Sequence, residues 1–130
     1  MSSSPGAFER LFKLSDPDVL VVCLCAQWCG VCRDYAGVFS QVAARMPQAR
    51  FVWVDIEDAA DLVDPVEIEN FPTLLIASGS EPRFFGSLTP QPGMLERMVR
   101  EHSVQGDAAL AQRADIRALL LRLRSGAALP

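Results

Sequence analysis

The residues best suited to chemistry sit in one short segment, Ala26-Gln27-Trp28-Cys29-Gly30-Val31-Cys32. It stands where a continuous apolar run gives way to a helical pattern. Two cysteines at i and i+3 in a helix's first turn share one face, close enough to bridge. The first would sit among unpaired backbone N–H groups at the positive end of the helix dipole, which favours a thiolate at Cys29. A thiolate beside a second thiol is what disulfide exchange requires: Cys29 attacks a disulfide, and Cys32 resolves the mixed disulfide that forms. The competing use of such a pair is half a zinc site, but structural zinc wants four ligands at closed spacing. The single histidine, His102, lies far along the chain. Cys23 and Cys25 fall inside the apolar run, where cysteine commonly packs as a small hydrophobe. The pattern favours redox chemistry, and no metal is expected.

The elements that must position this segment can be read from periodicity. Val19–Ala26 is branched and apolar throughout, as in a strand buried on both faces. A helix is expected from Cys29 to Met46, ended by Pro47. Phe51–Val54 reads as a second strand, Thr73–Ala77 as a third and Arg83–Phe85 as its hairpin partner across Ser78-Gly79-Ser80. Met94–His102 and Asp107–Arg124 repeat apolar residues at helical spacing, and Phe8, Leu11 and Phe12 suggest a short helix before the first strand. Strand, helix, strand, hairpin and helix imply an α/β fold, a central mixed sheet flanked by helices.

With 130 residues, half of them hydrophobic, the chain is expected to form one globular domain. No apolar run approaches the roughly 20 residues that span a bilayer, and the first residues show no secretory pattern. A cytoplasmic protein with no membrane partner is therefore expected, in a compartment that keeps thiols reduced. The net charge of −4 argues against nucleic acid. That charge is uneven: residues 1–103 carry 8 basic and 14 acidic side chains, whereas 104–130 carry four arginines and two aspartates. Seven carboxylates crowd Asp55–Glu69, either as a solvated loop or as an acidic rim that favours basic partners.

Trp28-Cys29-Gly30-Val31-Cys32 after a hydrophobic strand, together with Phe71-Pro72-Thr73 and with Gly86 after the hairpin, resembles the thioredoxin family over roughly residues 8–103. The resemblance implies a thioredoxin-like fold and a thiol–disulfide oxidoreductase that exchanges or reduces disulfides in protein substrates. It implies Cys29 and Cys32 as the redox pair. Trp28, Gly30, Val31, Phe71, Pro72 and Thr73 would form the substrate-facing surface, with a cis Phe71–Pro72 bond. No cofactor is implied, only an external reductant.

Several positions depart from that family's pattern. Gly-Val separates the cysteines where Gly-Pro is usual. Cys23 stands where a buried aspartate usually lies beneath the resolving cysteine, Trp53 where its lysine partner lies, and Cys25 where an aromatic is common. Cys23 is thus expected either to pack inertly or to exchange with Cys32. These losses leave open a different class of function, a non-catalytic, chaperone-like module that holds a partner. Residues 104–130 are expected to add a C-terminal helix to a domain spanning 1–103. Its stripe of Ile116, Leu119, Leu120 and Leu123 would pack back on that domain or dock a partner or a second copy.

Overall fold

A computed structural model describes residues 19–26, 28–64, 66–103 and 106–124. The expected helix around Phe8–Phe12 and any strand before it lie outside the described residues. A four-stranded sheet runs in the order β2-β1-β3-β4, built from β1 (Val19–Cys25), β2 (Arg50–Asp55), β3 (Thr73–Ser78) and β4 (Glu81–Ser87). β1 pairs parallel with β2 and antiparallel with β3, and β3 pairs antiparallel with β4. With a neighbour on each side and helices over both faces, β1 is buried from Leu20 to Cys25. That is why its sequence runs apolar without alternation. The β3–β4 hairpin turns at Gly79, whose φ of 61° is a conformation only glycine adopts cheaply.

The two faces of the sheet carry separate cores. On one, Val21, Cys23, Cys25, Leu74 and Ile76 meet α1 (Gly30–Arg45) and α3 (Pro92–His102) through Tyr35, Phe39, Val42, Leu95 and Val99. On the other, Leu20, Val22, Leu24, Leu75 and Ala77 meet α2 (Ala60–Val63), α4 (Ala108–Ala111) and α5 (Ala114–Arg124). The stripe of Ile116, Leu119, Leu120 and Leu123 is buried in this second core, each residue 2% exposed or less. Of the two expectations for the C-terminal helix, its own domain covers it. Arg124 Nε donates to the Gly79 carbonyl at 2.7 Å, and an Arg122 Nη to the Asp64 carbonyl at 3.1 Å, tying α5 to the hairpin and to the end of α2.

The single helix expected over Asp107–Arg124 is two. Asp107 caps the first by accepting from the Ala109 N–H at 2.9 Å, and the chain turns at Gln112-Arg113. Asp115 then accepts from the Ile116 N–H in the first turn of the second. Two acidic residues placed as helix starters divide one apolar periodicity into two segments.

Candidate active site

β1 ends at Cys25, and α1 begins at Gly30 with Cys29 as its N-cap residue in extended conformation (φ −87°, ψ 122°). The Cys29 N–H donates to the Ala26 carbonyl at 3.1 Å, and the Arg33 N–H to the Cys29 carbonyl at 3.2 Å. This tight strand-to-helix turn holds Cys29 half-buried at the head of the helix, between Trp28 (61% exposed) and Val31 (43% exposed). Gly30 beside it is also exposed. Cys32, one turn on, points inward and is 1% exposed.

A second loop meets this turn. The Phe71–Pro72 peptide bond is cis, and the Phe71 ring lies edge-on to Trp28 with centroids 5.5 Å apart. The Trp28 indole N–H donates to Glu57 Oε2 at 2.6 Å, so one carboxylate of the acidic segment stands on the rim of the site. Glu57 went unsingled among seven carboxylates in the sequence, because no local pattern links residues 28 and 57. Pro72 is buried, and Thr73 turns its hydroxyl onto the Asn70 carbonyl. Trp28, Gly30, Val31 and Phe71 thus offer exposed or half-exposed surface around Cys29, whereas the Thr73 side chain is committed to its own loop.

The disulfide the structure shows is neither of those expected for Cys32. Cys25 and Cys32 are bonded, with Cα atoms 5.8 Å apart, inside the range that bridges without backbone movement. Cys29 and Cys23 are free thiols. Cys23 and Cys25 share a face of β1, but Cys25 lies nearer the end that hands over to α1. That places it, and not Cys23, beneath Cys32. The alternation of the strand carried this signal, since the last inward-facing residue is the one nearest the helix start.

Cys23 sits one pleat further back, its sulfur 3.7 Å from that of Cys25. Burial pushes the Cys23 thiol well above its ordinary range, so it stays neutral. Burial raises the Tyr35 phenol as well, with a smaller contribution from Cys23, and the Tyr35 hydroxyl has no hydrogen-bond partner among the described residues.

The Ala26 N–H approaches the Cys32 sulfur at 3.4 Å. Beside Cys32 opens a cavity of about 260 Å³ that Arg33, Trp53 and Asp55 also line. Trp53, 37% exposed, forms an aromatic wall of this cavity. No group of three or more His, Cys, Asp or Glu side chains is arranged to hold a metal among the described residues, and none of their helices is long and apolar enough to cross a membrane.

Known proteins are similar to this chain in sequence and in fold. The chain is 30% identical over 105 residues to human glutaredoxin-3, covering 79% of this chain and 30% of that protein. It is 36% identical over 64 residues to a thioredoxin H-type of Oryza sativa subsp. indica, covering 48% and 52%. The chain thus spans about a third to a half of the length of these relatives. Among solved structures, mitochondrial thioredoxin 3 of Saccharomyces cerevisiae superimposes with a TM-score of 0.59 at 22% identity, over 68% of this chain and 83% of that one. Fasciola hepatica thioredoxin gives 0.59 at 24% identity, over 65% and 80%. The thioredoxin family model matches residues 2–98. With that match joined to the mixed sheet of the fold, the chain belongs to the thioredoxin family.

Proposed function

We propose that the chain reduces or exchanges disulfides in protein substrates, with Cys29 as the attacking thiol and Cys32 as the resolving one. The observation that carries this reading is exposure. Cys25 and Cys32 are both 1% exposed, so neither sulfur can be reached by a protein disulfide, whereas Cys29 is half-buried at the surface between Trp28 and Val31.

Starting from the dithiol, Cys29 Sγ attacks one sulfur of the substrate disulfide, and the other leaves as a thiolate that takes up a proton. Cys32 Sγ then attacks Cys29 Sγ, the first substrate sulfur leaves, and two electrons have passed to the substrate. An external reductant restores the pair, and no cofactor takes part. The residue beneath Cys32 is Cys25, a thiol and not an acid. Asp55, which borders the same cavity as Cys32, is the carboxylate placed to relay its proton through water. Trp28, Phe71 and the backbone around Pro72 form the platform that meets the substrate chain. The cytoplasm, where thiols are kept reduced, suits such a reductant. Residues 104–130 are an addition to a family unit within 1–103, and α4 and α5 within them cover one face of the sheet.

Reduction of insulin by dithiothreitol, with and without the protein, tests this. The wild type accelerates the reaction, and Cys29→Ser falls to the rate without protein. Retained acceleration in Cys29→Ser would overturn the assignment. No acceleration by the wild type would favour the partner-holding module instead.

A further inference from the structure

We propose that Cys25 is a third redox residue: Cys32 exchanges its disulfide partner between Cys29 and Cys25, and the Cys25–Cys32 form converts Cys29 into a lone surface thiol that keeps whatever it captures. This rests on the proposed function, which supplies the Cys29–Cys32 disulfide as the product of each turnover.

Three observations meet at this point. Cys32 is within bridging distance of Cys25, at 5.8 Å between Cα atoms, and is bonded to it. Cys32 also lies three residues from Cys29, the N-cap residue of α1, a spacing that brings side chains together in a helix's first turn. One sulfur thus has two partners, one below it in the sheet and one beside it at the helix start. The partners differ in access: Cys25 is 1% exposed, while Cys29 is half-buried and free.

The exchange step balances without any added oxidant. The Cys25 thiolate attacks Cys32 Sγ of the Cys29–Cys32 disulfide, the Cys25–Cys32 bond forms, and Cys29 leaves as a thiolate. The proton lost by Cys25 ends on Cys29 or in solvent, and the number of disulfides stays at one. Cys25 is buried in apolar surroundings, where thiols react slowly. Partner exchange is therefore slow beside the resolution of a substrate by Cys32, and it competes only when the external reductant is scarce. Cys23 does not extend the chain of exchange. Its thiol stays neutral, and residues at i and i+2 of an extended strand are poorly placed to bridge each other.

The consequence lies at Cys29. With Cys32 held by Cys25, no thiol beside Cys29 can resolve a mixed disulfide. If the Cys29 thiolate attacks a small disulfide such as oxidised glutathione, one glutathione leaves and the other stays attached. The Cys25–Cys32 bridge is then closed to reduction from outside, because Cys29 is the thiol that could reopen it. The protein would rest as a capped, oxidised form until a reductant removes the cap.

The bridges can be followed in the full chain. The reduced protein is mixed with one equivalent of insulin, quenched in acid at increasing times and alkylated with N-ethylmaleimide. Chymotryptic cleavage after Leu24, Trp28 and Tyr35 then separates Cys23, Cys25 and the Cys29/Cys32 pair. Early samples should carry the Cys29–Cys32 bridge within one peptide. Late samples should carry a cross-linked pair of peptides joined through Cys25 and Cys32, with the alkyl label on Cys29. Oxidised glutathione added late should remain on Cys29 of the wild type, whereas in Cys25→Ser the Cys29–Cys32 bridge persists and Cys29 takes up no glutathione. A wild type that reduces insulin yet keeps only the Cys29–Cys32 bridge at every time, with Cys25 labelled, would overturn the exchange and leave the proposed function standing. A protein that reduces no insulin would overturn both.

Discussion

The two faces of the sheet are built from the same strands and do opposite work. Under α1 and α3, the inward residues of β1 include two cysteines, Cys23 and Cys25, and the covering helices bring Cys32, Tyr35 and Phe39. Under α2, α4 and α5, the inward residues of β1 are Leu20, Val22 and Leu24, met by three leucines and an isoleucine of α5. One face stacks sulfur and aromatic groups beneath the surface thiol, and the other is aliphatic apart from the half-buried Phe85 ring packed against it. Adjacent residues of one strand therefore divide reactivity from stability by pointing to opposite sides. This division lets a helix outside the region matched by the family model support the fold without touching the cysteines.

The largest test of this division is Leu119→Ala. Leu119 is fully buried in the aliphatic core, so truncation removes its apolar contacts and leaves a cavity, at a cost of about 2–5 kcal/mol. Urea unfolding should show that loss as a lower midpoint with little change in slope. Below the transition, the alkylation rate of Cys29 should match the wild type. A faster rate in folded Leu119→Ala would mean that the two faces are coupled and that the division is wrong.

The aliphatic face was also the more legible in the sequence. Leucines and an isoleucine at helical spacing announce a helix that must be covered. The unbroken apolar run of β1 announces a strand with two faces to bury, and Gly79 marks the hairpin. The split of the last helix was harder to read, because Asp107 and Asp115 interrupt the backbone without interrupting the apolar stripe. At the site, the spacing of Cys29 and Cys32 after a buried strand suggests a redox pair. The partner of Cys32 did not emerge, because bridging depends on which of two cysteines on one strand face lies under the helix start. That is a matter of a single pleat, about 7 Å along the strand. The link from Trp28 to Glu57 depends on β1 and β2 lying side by side, and no local pattern could supply it.

On the sulfur face, Tyr35→Phe should act in the opposite direction to Leu119→Ala. The Tyr35 hydroxyl is buried with no protein partner among the described residues, and burial holds it in the neutral form. Removing a buried hydroxyl that makes no hydrogen bond relieves a desolvation cost, so the variant should be as stable as the wild type or more stable by about 1 kcal/mol. Differential unfolding in urea at neutral pH checks this. A loss of more than about 1 kcal/mol would show that the hydroxyl is bonded, through ordered water, into a polar network beneath the cysteines. The sulfur face would then be less dry than its lining suggests.

The smallest expected effect lies at the head of α5, where the aliphatic face is fastened at its edge. Asp115 accepts from the Ile116 N–H at 2.9 Å, and its two oxygens take paired bonds from Arg113 at 2.9 and 2.7 Å. Those bonds to Arg113 hold the carboxyl below the ordinary aspartate range, with the Ile116 N–H assisting. Because the folded-state pKa is lowered, the carboxylate contributes its full stability above the unfolded value of about 3.9 and loses it as pH falls through the lowered one. The pair is partly exposed, 49% at Arg113 and 30% at Asp115, so solvent screening limits its worth to about 0.5 kcal/mol. Asp115→Asn should therefore be slightly less stable than the wild type at pH 7, and the gap should close as the solution is acidified below the ordinary aspartate range. High salt should narrow the gap at pH 7 as well. A gap that persists unchanged into acid would mean that the side chain acts through hydrogen bonding that asparagine cannot copy, with its charge irrelevant. The start of α5 would then be fixed by backbone capping alone.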